Sequence, residues 1–219
     1  MKKLALVLVS VFLCFVFMWC NLWKGDISRH PEVDLAMEAY KKVLLNEKEF
    51  FNASDDKNYY LYDYYCSMFE DYYDYLTVDQ VRERLIFSVT DIDGNEMPEI
   101  VLNFWAGMDV FQYKDGIVYG HWVGELDMKK DGSFYWRDGW MWNGYARYIF
   151  MGEQFTSIDL GYSECDSYEE CRYFIDDVQV TEAEYRAFEA IQDAKEELEY
   201  HEFTEENIKN LDKLYDPTE

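Results

Sequence analysis

The sequence predicts an α+β protein, with helices first, an antiparallel meander sheet in the middle and helices again at the C-terminal end. Three observations carry this. Apolar residues recur at three- and four-residue spacing between Pro31 and Glu49, which marks one face of a helix. From Leu85 onward, short apolar runs are punctuated by Asp-Gly pairs at 115–116, 131–132 and 138–139, the texture of strands joined by tight turns. Thr181 followed by Glu184 then spells a capping box, so helical texture returns near the end. No internal repeat is evident.

The chain opens with Lys2 and Lys3 and an uncharged run from Leu4 to Trp23, the basic start and apolar middle that an export machinery reads. No Ala-x-Ala cleavage site ends that run. Cys20 stands at its end, just before a polar stretch, and this placement resembles a Gram-positive lipoprotein signal, which implies lipidation at Cys20. The residue before that cysteine is the bulky Trp19 where the pattern has a small one. A second reading is an uncleaved anchor, because Leu4 to Cys20 lies at the short end of the roughly 17 to 25 residues that span a bilayer. Both readings leave the basic flank inside, so the sequence predicts a cell-membrane protein whose body faces outward. The expected division is a signal or anchor over 1–20, a linker over 21–30, a helical segment over 31–84 and a sheet with C-terminal helices over 85–219, the last two forming one domain.

Val33, Ala36, Met37, Tyr40, Val43 and Leu44 line one face of the first helix. Residues 52–57 (NASDDK) read as a loop; Asn52-Ala53-Ser54 matches a glycosylation acceptor that has no use in a bacterial lipoprotein. Residues 58–76 alternate aromatics with aspartates and read as a second helix, although the same letters also fit strands. Thr77 with Gln80 is a capping box for a short helix through Arg84. Strands are expected at 86–90 and 100–105, in VFQYK and IVYGHW around Asp115-Gly116, in YARYIF and QFTSIDL, and at 173–176 and 178–180. A helix follows from Thr181 to about Glu199, and a last one runs from Thr204 through Tyr215.

With 45 acidic against 20 basic residues, the chain carries a net charge of −25, which disfavours nucleic acid and anionic lipid headgroups as partners and favours cations. An aromatic content of 19%, with 20 Tyr and 7 Trp, suits half-buried strand positions and also surfaces that stack on sugars or peptides. Cys165 and Cys171 bracket the short segment DSYEE and are a possible disulfide in an oxidising compartment. Cys66 is left single, most simply as a buried thiol.

One segment carries chemistry. In DIDGNEMPE, Asp91, Asp93, Asn95 and Glu99 occupy positions 1, 3, 5 and 9, and Met97 offers a backbone carbonyl at position 7. Calcium takes six to eight oxygens, and alternate residues of a tight loop can turn theirs inward together. An EF-hand is disfavoured, because Glu96 and Leu102 stand where that loop needs glycine and glutamate. The loop resembles the calcium loops of FG-GAP and integrin-type β-propeller repeats, but occurs once, which excludes a propeller. The wider setting of FSVTDIDGNEMPEIVL, Asp-Gly hairpins and YFIDDVQVTEAEY resembles uncharacterised Gram-positive lipoproteins over most of residues 33–212. That resemblance implies an extracytoplasmic module and no reaction. The competing reading of the loop is a carboxylate-rich turn held by Asp and Asn bonding to their own backbone.

No Gly-x-Ser-x-Gly elbow, P-loop, dinucleotide fingerprint or His-Glu-x-x-His is present, and His30, His121 and His201 are too dispersed to suggest zinc. The leading expectation is a non-enzymatic module, stabilised by calcium, that binds a cell-surface protein or glycan. The alternative is a cell-surface glycan hydrolase using carboxylates, with Trp122, Trp136, Trp140 and Trp142 as its sugar platform. Trp140 and Trp142 would share a strand face by period two.

Overall fold

The computed structural model describes residues 31–68, 76–105, 107–124, 127–139, 141–151, 154–166 and 170–215. Cys20, Trp140 and His30 lie outside them, as do the whole N-terminal apolar run and the middle of the aromatic segment at 69–75. Helix α1 (Pro31–Leu44) comes first, then a small hairpin of β1 (Phe50–Asn52) and β2 (Lys57–Tyr59), α2 (Leu61–Met68) and α3 (Val78–Arg84). Four strands follow: β3 (Ile86–Thr90), β4 (Glu99–Phe104), β5 (Gly107–Lys114) and β6 (Ile117–Gly124). Next come β7 (Ser133–Asp138), β8 (Trp142–Met151), β9 (Gln154–Cys165), β10 (Cys171–Ile175) and β11 (Val178–Val180). The chain ends with α4 (Glu182–Asp193), β12 (His201–Glu202), α5 (Glu205–Lys209) and α6 (Leu211–Leu214). The architecture is α+β, helical at both ends of the described chain.

The strands form two sheets. A seven-stranded sheet has the order β12-β3-β4-β5-β6-β1-β2, and a five-stranded sheet has the order β11-β10-β9-β8-β7. All pairings are antiparallel except β1 with β6, where Phe51 and Asn52 lie beside Tyr119 and Gly120. β1 and β2 occupy ground where the sequence suggested a loop and the start of a helix. Asn52 explains the tight connection between them, since its buried side-chain oxygen accepts from Ser54 N (2.8 Å) and Asp55 N (3.0 Å), an Asx turn closing the hairpin.

The first sheet is covered on both faces, and β4 shows why its sequence runs apolar without a break. Ile100, Leu102 and Phe104 pack against Met37, Tyr40, Leu61 and Tyr65 of the helical layer. Val101 faces the other way, joining Met108, Val110, Ile92 and Met128 with Tyr148, Phe150 and Phe155 between the sheets. A strand buried on both sides needs apolar residues at successive positions rather than alternate ones. The second sheet carries α4 on its far side, with Tyr145, Phe188, Tyr185 and Tyr173 in mutual ring contact.

Both capping boxes form, Thr77 with Gln80 and Thr181 with Glu184. The Asp115-Gly116 turn has φ of +50° and +86°, the left-handed pair that a two-residue hairpin requires. α4 stops at Asp193, short of the expected Glu199, because Lys130 N donates to Glu196 O (2.9 Å), Lys129 bridges Glu197, and Lys195 reaches Asp131. Pairing with the β6–β7 connection competes with the helix and wins. The last helix is likewise broken at Asn210, whose side chain donates back to Glu206 O (2.9 Å). Cys165 and Cys171 are directly opposed across β9 and β10 and form a disulfide. Cys66 is free and half-buried, and its thiol donates to Leu76 O (3.1 Å). No helix among the described residues is long and apolar enough to cross a membrane.

Candidate metal centre

The loop between β3 and β4 folds around its own carboxylates. Asp91 Oδ1 accepts from Gly94 N (2.8 Å) and Asn95 N (3.0 Å), while Oδ2 accepts from Glu96 N (2.7 Å). Asp93 accepts from the backbone and side-chain nitrogens of Asn95 at 3.2 and 3.1 Å. Asn95 Oδ1 accepts from Met97 N at 2.7 Å. The chain achieves this winding with Gly94 at φ +77° and Glu96 at φ +68°. Glycine takes that conformation freely, whereas Glu96 takes it at a cost of about 1 kcal/mol.

Asp91, Asp93 and Glu99 each bring one carboxylate oxygen within 4.8 Å of the others, so these three could hold a metal ion. Glu99 decides the character of the site. It is the first residue of β4 and only 1% exposed. Its Oε2 accepts from Ile92 N (3.0 Å), but Oε1 is buried with no hydrogen-bond partner. Burial first, and then the charges of Asp93 and Asp91, push its pKa well above the usual carboxylate value. Burial also leads the rise of Asp93, whose hydrogen bonds with Asn95 oppose it. An orphaned, buried carboxylate oxygen costs roughly 1–3 kcal/mol or more, and a cation among the three carboxylates removes that cost. The donor set is all oxygen, the chemistry of calcium or magnesium rather than of zinc.

The loop is clamped from two sides. Tyr40 of α1 donates its hydroxyl to Pro98 O (2.9 Å) and accepts from Tyr113 N (2.6 Å), which fixes the exit of the loop to the helical layer and to β5. On the other side the 131–133 turn presses on Ile92, and a Cβ at Gly132 would sit 2.6 Å from Ile92 O. Thr90 Oγ1 donates to Lys130 O (3.3 Å) across the same junction. The loop thus lies where helices, first sheet and second sheet meet.

A polar cleft of about 480 Å³ opens beside it, with Asp91 and Glu96 on one wall and Lys130, Asp131, Lys195 and His201 on the others. Lys195 donates to Asp131 Oδ2 (2.7 Å) and Ser133 Oγ (3.1 Å). Burial alone would raise the pKa of Asp131, but the bonds from Lys195 and Ser133 outweigh it and hold the carboxyl below its ordinary value. The sequence reading missed this pair, which nothing local announces, since its members are 64 positions apart.

The tryptophans are divided between the sheets. Trp122, on β6, packs over Gly107, where a Cβ would meet its ring at 2.3 Å. Trp136 and Trp142 lie on the second sheet, and by register they share one face with Tyr162 and Phe174. None of the three lines the cleft beside the carboxylates. His121 is stacked on Phe155 with its ring 5.0 Å away, and burial lowers its pKa to about 4; His201 packs on Phe87. No protein-family model matches the chain, and neither the curated proteins nor the solved structures contain a match to it.

Proposed function

We propose that this chain is an extracytoplasmic, membrane-tethered binding or interaction module in which Asp91, Asp93 and Glu99 hold one structural calcium ion, with Asn95 and the Met97 carbonyl completing the set. The observation that carries the metal is Glu99: its Oε1 is buried without a partner inside a cluster of carboxylates, an arrangement that a plain Asp/Asn turn does not need. The exported start, Lys2 and Lys3 followed by the apolar run to Trp23, supports the outward location, with Cys20 lipidated or the run left in place as an anchor. Calcium outside the cell is plentiful enough to fill a site of modest affinity. Its role is to join α1, the β3–β4 hairpin and the 131–133 turn, adding stability by mass action.

Binding is favoured over glycan hydrolysis because the acid-lined cleft and the tryptophan-bearing face of the second sheet are separate places among the described residues. The partner is a cell-surface protein or glycan. Isothermal titration of the full chain in detergent tests the metal. One calcium per chain is expected, and no heat up to millimolar calcium would end the proposal.

A further inference from the structure

One edge of the first sheet is covered only in part. β12 pairs with β3 at Ile86 and Phe87 and goes no further. Upstream of β12 the chain has left β3 for the β6–β7 connection, where Lys130 N donates to Glu196 O (2.9 Å) and Glu197 pairs with Lys129. Ser88, Val89 and Thr90 therefore have β4 on one side and, among the described residues, no strand on the other. These three residues form one wall of the cleft of about 480 Å³ beside the β3–β4 loop, a volume within the roughly 300–1,000 Å³ usual for ligand sites.

The two faces of this free edge differ. Val89 belongs to the helical side of the sheet, in one apolar cluster with Leu214 and Tyr215, which also line the cleft. Ser88 lies opposite Val101 on the inter-sheet side, where Thr90 reaches Lys130 O. On that side the cleft is charged. Both of its lysines are engaged, Lys195 with Asp131 (2.7 Å) and Lys130 with Glu196 (3.5 Å), and Glu197 is bridged by Lys129. Glu96, in the loop that follows Thr90, and Glu199, two residues before His201, line the cleft with no ion-pair partner among the described residues. Negative charge is thus left over toward each end of the free edge, whether or not a cation neutralises Asp91.

We propose that this edge is the docking site for an extended basic peptide, which adds as a further strand beside residues 88–90, its apolar side chains toward Leu214 and Tyr215 and its lysine or arginine side chains toward Glu96 and Glu199. A strand laid on a sheet edge takes its affinity from main-chain hydrogen bonds and its specificity from alternate side chains. Successive side chains of a strand point to opposite faces, so an apolar face and an acidic face select a peptide that alternates in the same way. The basic residues follow from the two unpaired carboxylates, and the net charge of −25 draws such ligands toward the chain. The site rests on reading the chain as a binding module and makes its partner a protein segment; it needs no metal.

The test is a titration of the full chain, in detergent and chelator, with a pool of capped heptapeptides that alternate lysine with mixed apolar residues. At saturating peptide, hydrogen exchange of at least one amide within residues 88–90 should slow about tenfold or more. A backbone-methylated pool, which lacks the main-chain donors, should lose that protection, and a pool with glutamate in place of lysine should not bind. Glu199 is exposed, so Glu199→Lys keeps the fold, and it should weaken binding of the lysine pool about fivefold to tenfold. No protection at millimolar peptide, equal binding of the glutamate pool, or an unchanged affinity in Glu199→Lys would overturn the site. So would sedimentation showing a dimer of this chain in which residues 88–90 are already protected. Cross-linking of the lysine pool to another surface would end this proposal while leaving the binding-module reading intact.

Discussion

Two buried carboxylates on neighbouring strands, Glu99 at the start of β4 and Asp109 within β5, solve the same problem in opposite ways. Each is withdrawn from water, at 1% and 0% exposure, and in each burial is the first cause of a raised pKa. Glu99 has two more carboxylates within reach and an oxygen with no partner, so its surroundings lack a positive charge. Asp109 accepts a hydroxyl on each oxygen, from Tyr64 and Tyr65, so both its acceptors are satisfied without a cation; these bonds favour its charged form, and burial outweighs them. Burial alone therefore does not define a metal ligand; what the neighbours leave unsatisfied does.

The largest expected effect separates the two by pH. Between pH 4 and 7 the fold should lose up to about 4 kcal/mol through Asp109 alone, the consequence of moving a carboxyl from 3.8 to about 7. Denaturant midpoints measured across that range in chelator, on the natural chain and on Asp109→Asn, isolate the contribution, which should vanish in the variant. Next in size is Asp91→Ala, which strips the acceptor from three backbone N–H groups of the loop. It should cost about 2–3 kcal/mol even without calcium, and thermal melts in chelator read it. Tyr65→Phe removes the shorter of the two bonds to Asp109. It should cost about 1–2 kcal/mol at pH 8 and less at pH 5, where the carboxyl carries its own proton. The smallest change is a gain: Glu96→Gly relieves a left-handed backbone and should raise stability by about 0.5–1 kcal/mol in urea titrations.

These residues also mark how far the fold and site could be read in advance. The capping boxes at Thr77 and Thr181, the Asp115-Gly116 turn and the spacing of Asp91, Asp93 and Glu99 are local rules, legible because each is decided within a few residues. The split into two sheets and the parallel pairing of β1 with β6 were not legible. They rest on contacts between distant segments, and Phe50–Asn52 is too short to show a period. The end of α4 was misjudged for the same reason, since Lys195, Glu196 and Glu197 suit a helix but are held by residues 129–131. Among 45 acids nothing in composition singles out Asp109. Its place inside the run GMDVF, an aspartate among strand-forming apolar residues, was the one signal that could have found it.

The most direct test of the contrast is the calcium response of Glu99→Gln, which keeps the shape of the protonated side chain and removes its ability to carry charge. In chelator the variant should be within about 1 kcal/mol of the natural chain. At calcium a hundredfold above the dissociation constant the natural chain should gain about 2.7 kcal/mol and melt several degrees higher, while the variant gains nothing. Equal calcium responses in the two chains, or none in either, would contradict the assignment of Glu99 as the residue that makes this loop a metal site.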